Sequence, residues 1–285
     1  MILHGIHVAQ FHQVLHIYSP DTDVFVLALR SYPRLPKDTF FVTGTGSRRR
    51  HIALAPIYDK LVQDVKSALP AFHCFTGSDT TGKFLGKGKL TCWNAFIKSS
   101  TDIKQALTAI GSYEDLNQKT ECLLESYVCK LYEPKSSETD IGKLRWQQFS
   151  KKQAEGQVLP PTKAALQQHI LRARHQALLW YQDDVPNPQI PKPEEFGWKH
   201  EEGVFMPVPT LLPPTPVSIL QLVKCGCGSS KCSATSMCSC RRNNLNCTEL
   251  CTCDADDETC TNTAVQRLEG LDDDEDAYGD DSLLV

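Results

Sequence analysis

Nine cysteines fall between Cys225 and Cys260, a quarter of that stretch. They follow C-x-C-x4-C-x5-C-x-C-x6-C-x3-C-x-C-x6-C, in a polar segment with too few aliphatic residues to build a core. Such a segment folds only if its sulfurs are cross-linked or bound to metal. In a secreted chain nine would suggest a disulfide knot with one thiol left over. The opening MILHGIHVAQ, however, lacks the charged start, long apolar stretch and small-residue cleavage site of an export signal. A reducing compartment makes metal thiolates the better reading. Zinc takes four thiolates in a tetrahedron. Nine do not divide by four, but three ions with three bridging sulfurs account for the odd number. Soft thiolates also accept Cu(I), so the ion is not fixed by residue type alone. Cys225, Cys227, Cys232, Cys238, Cys240, Cys247, Cys251, Cys253 and Cys260 are the candidate ligands.

The rest of the 285-residue chain is ordinary enough to fold: 41% apolar, 22% charged, and no run of 18 apolar residues to span a membrane. The formal charge of −4 hides an asymmetry. Eight acids and no base lie from Glu269 onward, which leaves 30 basic and 26 acidic residues elsewhere, a balance of +4. That split removes the objection to a nucleic-acid partner that the overall charge would raise.

The pattern divides the chain. Residues 1–100 read as α/β: QVLHIYSP ends a strand, DTDVFVLALR is helical, FFVTG and HIALAP are short strands, and IYDKLVQDVKSAL has a helical period. AFHCFTGSDTTG reads as a further strand entering a glycine turn, so a mostly parallel sheet flanked by helices is expected. Residues 101–182 read as a helical extension, with Thr162 as a cap and Leu166, Ile170, Ala173 and Ala177 on one face. A proline-rich segment at 183–222 reads as an extended linker, with Trp198 and Phe205 placing part of it on the body. The cysteine module spans 223–262 and should hold little regular structure, and 263–285 reads as a disordered acidic tail.

In an open parallel sheet the strand ends face one crevice. Asp21, Asp23 and Asp79 each follow an expected strand end, and three carboxylates there would suit Mg²⁺ or Mn²⁺. Two such ions clamp the attacking and leaving oxygens of a phosphodiester. Thr22, Thr76, Ser78 and Thr80 would orient the carboxylates or bind phosphate. The plainer alternative is that each Asp caps the following helix.

YSPDTDVFVLAL and IYDKLVQDVKSALPAFHCFTGSDTTGKFLGKGKLTCWNAF resemble the PIN-like nuclease domain of a group of animal transposon-derived proteins, similar in layout to the flap-endonuclease superfamily. LPPTKAALQQHILRARHQALLW is similar to a segment of the same group. The resemblance implies metal-binding roles for Asp21, Asp23 and Asp79. It also implies that a first strand with its acidic residue belongs upstream of Met1, so this chain is expected not to catalyse, an active structure-specific endonuclease being the alternative. In that layout GKFLGKGKL grips DNA through Lys83, Lys87 and Lys89, a solvated loop being the alternative.

The cysteine run resembles the tesmin-type CXC domain, whose nine ligands match these nine in order. That resemblance implies about three Zn²⁺ per chain and DNA contact, with a nuclear, otherwise cytoplasmic, location and no membrane partner. Lys231, Arg241 and Arg242 would be the contacts. Met237 stands where the family has tyrosine, and DADDET stretches the last spacer. A single anionic module binds DNA weakly, so a second CXC-bearing chain is the expected source of extra affinity. A zinc scaffold without DNA affinity is the third reading. Among the remaining polar residues, His4, His7, His12 and His16 read as non-ligands, His73 as a core or turn histidine, and Arg48–Arg50 as a solvated loop or a phosphate contact.

Overall fold

The computed structural model describes residues 1–150, 159–212, 224–227, 232, 237–253, 255 and 260–263. They form two units, 1–211 and 212–285.

Unit 1 begins with α1 (Ile2–Val8), β1 (Val14–Tyr18), α2 (Thr22–Ser31), β2 (Asp38–Thr43), β3 (Arg50–Ala53), α3 (Leu54–Lys60) and α4 (Gln63–Phe75). β1 pairs with β2 in parallel through a right-sized helical crossover, and β3 then turns back antiparallel on β2. The sheet is therefore small and mixed, rather than mostly parallel. Leu15, Ile17, Phe41 and Ile52 point from it into the core, where they meet α2 and α4.

Two expectations fail at α3 and α4. The helix expected over 57–69 is broken: Leu61 and Val62 are extended, with ψ of 133° and 156°, and two helices result. AFHCF, expected as a strand, is the last turn and a half of α4, and seven consecutive residues from Leu69 to Phe75 are buried there. A run buried on all sides carries no period, so helix and strand look alike in it. Pro70 lies inside α4, eight residues from its start.

The helical extension then follows as α5 (Lys89–Ile97), α6 (Thr101–Ile110), α7 (Gln118–Tyr132), α8 (Ile141–Ser150) and α9 (Lys163–Trp180). Thr162 caps α9 by accepting from Ala165 N at 3.2 Å, and Leu166, Ile170, Ala173 and Ala177 are all buried. α9 crosses α4, α6 and α7, which gathers the whole of unit 1 around one core. Buried Glu125 of α7 accepts from Ile141 N at 2.9 Å and pairs with Lys163 at 3.1 Å, tying the starts of α8 and α9 together.

The proline-rich segment is more than linker. Its described part holds a 3₁₀ turn at Pro193–Phe196 and a hairpin of β4 (Trp198–Glu201) and β5 (Val204–Pro207). Arg172 of α9 donates to the carbonyls of Gly197 and Val208 at 3.2 and 2.6 Å. The buried aromatic anchor is Phe196; Trp198 is half-buried, and Phe205 is exposed. Residues 213–223 and 264–285, the remainder of that segment and nearly all of the acidic tail, lie outside the described residues.

Unit 2 has little regular structure among its described residues, which hold the single-turn α10 (Ser239–Arg242). Its interior is sulfur: all nine cysteines from Cys225 to Cys260 form one buried cluster.

Candidate metal centre

The nine cysteines are all unoxidised and none is more than 6% exposed. Their sulfurs stand apart at separations that recur: Cys225 to Cys247 and to Cys253 at 3.8 Å, Cys225 to Cys232 at 3.9 Å, Cys232 and Cys238 each to Cys247 at 3.8 Å, and Cys253 to Cys260 at 3.7 Å. A disulfide needs about 2.05 Å. A zinc tetrahedron with Zn–S bonds of about 2.3 Å has edges of about 3.8 Å. The observed spacings match those edges, so this donor set fits zinc.

Three groups of four sulfurs lie close enough to hold an ion: Cys225, Cys247, Cys251, Cys253; Cys225, Cys232, Cys238, Cys247; and Cys232, Cys247, Cys253, Cys260. Cys225, Cys232 and Cys253 each belong to two groups, and Cys247 to all three. Seven of the nine expected ligands are thus gathered. Cys240 stands beside them, 3.5 Å from Cys251 Sγ, whereas Cys227 lies 3.5 Å from the Met237 carbonyl.

The backbone between the cysteines fixes this arrangement. Cys238 caps α10, accepting from Arg241 N at 3.4 Å, and Asn244 ends that turn at φ 56°, a conformation asparagine tolerates. Thr248 N donates to Cys251 Sγ at 3.4 Å, and Thr252 N to the Cys225 carbonyl at 3.1 Å. Asn262, fully buried, donates to the Leu245 carbonyl at 2.9 Å and to Cys247 Sγ at 3.4 Å. It supports the central sulfur, and only its place two residues past the last cysteine hinted at it. Burial pushes the thiols of Cys225, Cys232 and Cys247 well up. Burial acts on Cys238 and Cys251 too, but N–H donors outweigh it and hold both at about 7.

Of the expected DNA contacts, Arg242 is exposed, but Arg241 is half-buried and donates to the Thr261 carbonyl. Lys231 lies outside the described residues, as do the four acids of DADDET.

In unit 1 the structure brings Asp21, Asp23 and Asp79 together, with carboxylate oxygens within 4.8 Å of one another. Asp79 reaches that point from the turn after a helix, not from a strand end. Asp21 also caps α2, accepting from Asp23 N at 2.8 Å, so the plainer role is realised as well. Asp23 receives His73 Nε2 at 2.8 Å, and the imidazole stacks on Trp180. Burial lowers the His73 pKa, against the opposing hydrogen bond to Asp23. The hydroxyls expected to orient the carboxylates do other work: Thr76 donates to the Phe72 carbonyl at 2.8 Å, Ser78 pairs with Thr81 at 2.9 Å, and Thr80 donates to Gln176.

Lys89 is the clearest correction. Its ammonium does not face solvent but donates to the His73 carbonyl at 2.7 Å, Thr76 Oγ1 at 2.9 Å and the Gly77 carbonyl at 2.5 Å, closing the end of α4. Burial lowers its pKa to about 8. Lys87 lies 4.9 Å over the Tyr132 ring, and Lys83 is exposed.

No family model, curated protein or solved structure matches the chain. No described helix is long and apolar enough to cross a membrane.

Proposed function

We propose that the C-terminal unit is a three-zinc thiolate module that contacts DNA, carried by a transposon-derived PIN-like domain. The sulfur separations near 3.8 Å carry the metal half of this reading. Three of the four sulfurs common to more than one group, Cys225, Cys232, Cys247 and Cys253, would bridge pairs of ions, and the remaining six would each serve one. Zinc supplies charge compensation for the thiolates and a cross-link in place of an apolar core. It performs no chemistry, because four protein ligands leave no open position.

The DNA half rests on Arg242, exposed on α10, with Arg241 next to it and Lys231 eleven residues earlier. Nine thiolates against three Zn²⁺ leave −3, so affinity would be low and steeply salt-dependent, and a second CXC-bearing chain would raise it. Electrophoretic retention of duplex DNA by the zinc-loaded chain, lost on chelation and on Arg242→Ala, tests this. Retention indifferent to both would place DNA binding outside the zinc module, and no retention at all would leave a zinc scaffold without nucleic-acid affinity. A nuclear site of action belongs to the DNA-binding reading.

A second reading is favoured by the convergence of Asp21, Asp23 and Asp79. The three carboxylates would hold Mg²⁺ or Mn²⁺ and direct phosphodiester hydrolysis, with His73 fixing Asp23. Cation-dependent cleavage of branched DNA, abolished by Asp79→Asn, would support it. No cleavage by a chain whose DNA binding is intact would mark the domain as catalytically inert.

A further inference from the structure

The three-stranded sheet has two unlike faces. Leu15, Ile17, Phe41 and Ile52 face the core. Alternation turns Val42, buried at 3% exposure, the other way, and around it Val14, His16 and Tyr18 of β1, Phe40 of β2 and His51 of β3. Tyr18 is 65% exposed and Val14 52%; His16 and His51 are exposed, and Phe40 is half-buried. Among the described residues, none of these five joins the core cluster. A sheet face with this many exposed rings is unusual and needs an occupant.

The rings form one patch. The His16 imidazole lies 5.2 Å from the Phe40 ring, 5.7 Å from His51 and 6.2 Å from Tyr18, centre to centre. The register sets Tyr18, Val42 and His51 in one row across the strands, and His16 beside Phe40 in the next. At the β3 end of the Tyr18 row the chain enters through Arg48, Arg49 and Arg50, all exposed. Asp38, the strands' only acid, pairs with Val14 at the opposite end. Val14 is the one exposed aliphatic on this face, so an aliphatic partner surface would find little to pack against. Rings that stack, with guanidinium groups to one side, suit bases and phosphates instead. A duplex hides its base faces, so the matching ligand is a single strand.

We infer that the open face of the β1–β3 sheet binds single-stranded nucleic acid, stacking bases on His16, Tyr18 and Phe40 and meeting phosphates with Arg48 and Arg49. This site is separate from the cysteine module and does not depend on that reading. The test is fluorescence anisotropy of a labelled 20-mer oligo-dT with the full zinc-loaded chain, repeated over a range of salt. Tyr18→Ala weakens binding roughly tenfold, the range of one lost base–ring stack, while Tyr18→Phe retains it. Arg48→Ala with Arg49→Ala flattens the salt dependence by about 1.4 in log–log slope. Tyr18→Ala leaves the retention of duplex DNA by the C-terminal unit unchanged, which separates this site from that unit. Binding within twofold of wild type in both the Tyr18→Ala and the double-arginine variants overturns the inference, as does equal competition by a duplex of the same length. Sedimentation showing a dimer that Tyr18→Ala dissociates, with no effect on oligo-dT, would give the face to a second copy of the chain instead.

Discussion

Replacing Lys89 by methionine separates a structural lysine from a DNA contact. The ammonium makes three charge-assisted hydrogen bonds to the end of α4. Each contributes about 1.5–3 kcal/mol, so losing all three costs about 5–9 kcal/mol. Against this stands the cost of burying the charge. A pKa lowered from 10.5 to about 8 puts that cost at about 3 kcal/mol. Lys89→Met should therefore destabilise unit 1 by about 2–6 kcal/mol, or roughly 5–20 °C in Tm for a unit of this size. Scanning calorimetry reads it directly. The sign of the pH dependence gives a second check. With the folded pKa below the unfolded one, the unfolded chain holds the extra proton between about pH 8 and 10.5. Wild-type stability should therefore rise with pH across that window, and the Met variant should lack the rise. An unchanged Tm together with weakened DNA binding would refute the structural role and return Lys89 to the DNA-gripping loop.

His169, buried against the Phe75 carbonyl at 2.7 Å with its pKa lowered by burial to about 4, acts in the acid range. The unfolded histidine binds a proton first, so stability should fall by about 3 kcal/mol from pH 6.5 to 4, and His169→Gln should flatten that slope in urea titrations. At Gly111 an added Cβ would run into the Tyr181 ring, which is held by its hydroxyl on the Ser67 carbonyl at 2.7 Å. Gly111→Ala should cost about 1–3 kcal/mol by thermal melting, whereas an unchanged Tm would mean that the ring moves freely. Arg241→Ala should loosen unit 2 by freeing the Thr261 carbonyl, seen as faster zinc loss to a chelator, while Arg242→Ala leaves that rate unchanged.

Local signals served well wherever a surface or a cap broke the pattern. Thr162 and the Leu166–Ala177 stripe of α9 were legible because one side of the helix meets solvent. The run from Leu69 to Phe75 was misread because every side chain is buried, which erases the period. The same misreading made the sheet look more parallel than it is. The hairpin at Trp198–Pro207 was hidden by prolines around it, although Gly203 at φ 84° supplies its turn. In the carboxylate cluster the residues were readable, but not their partners: His73 lies 50 positions from Asp23, and no local rule joins them. The cysteine cluster was the most legible part, because thiolate chemistry fixes what nine neighbouring sulfurs can do. Which sulfurs are shared depends on the fold of the loops, and Asn262 became visible only there.

The most direct measurement is zinc per chain by elemental analysis of reduced, purified protein, for wild type and for Cys247→Ser. Cys247 belongs to all three sulfur groups, so its loss should disturb the whole cluster and not one ion alone. About three zincs in the wild type, falling by more than one in the variant, is the predicted result. Wild-type zinc near zero, or a variant that keeps its full complement, would contradict the shared-thiolate centre.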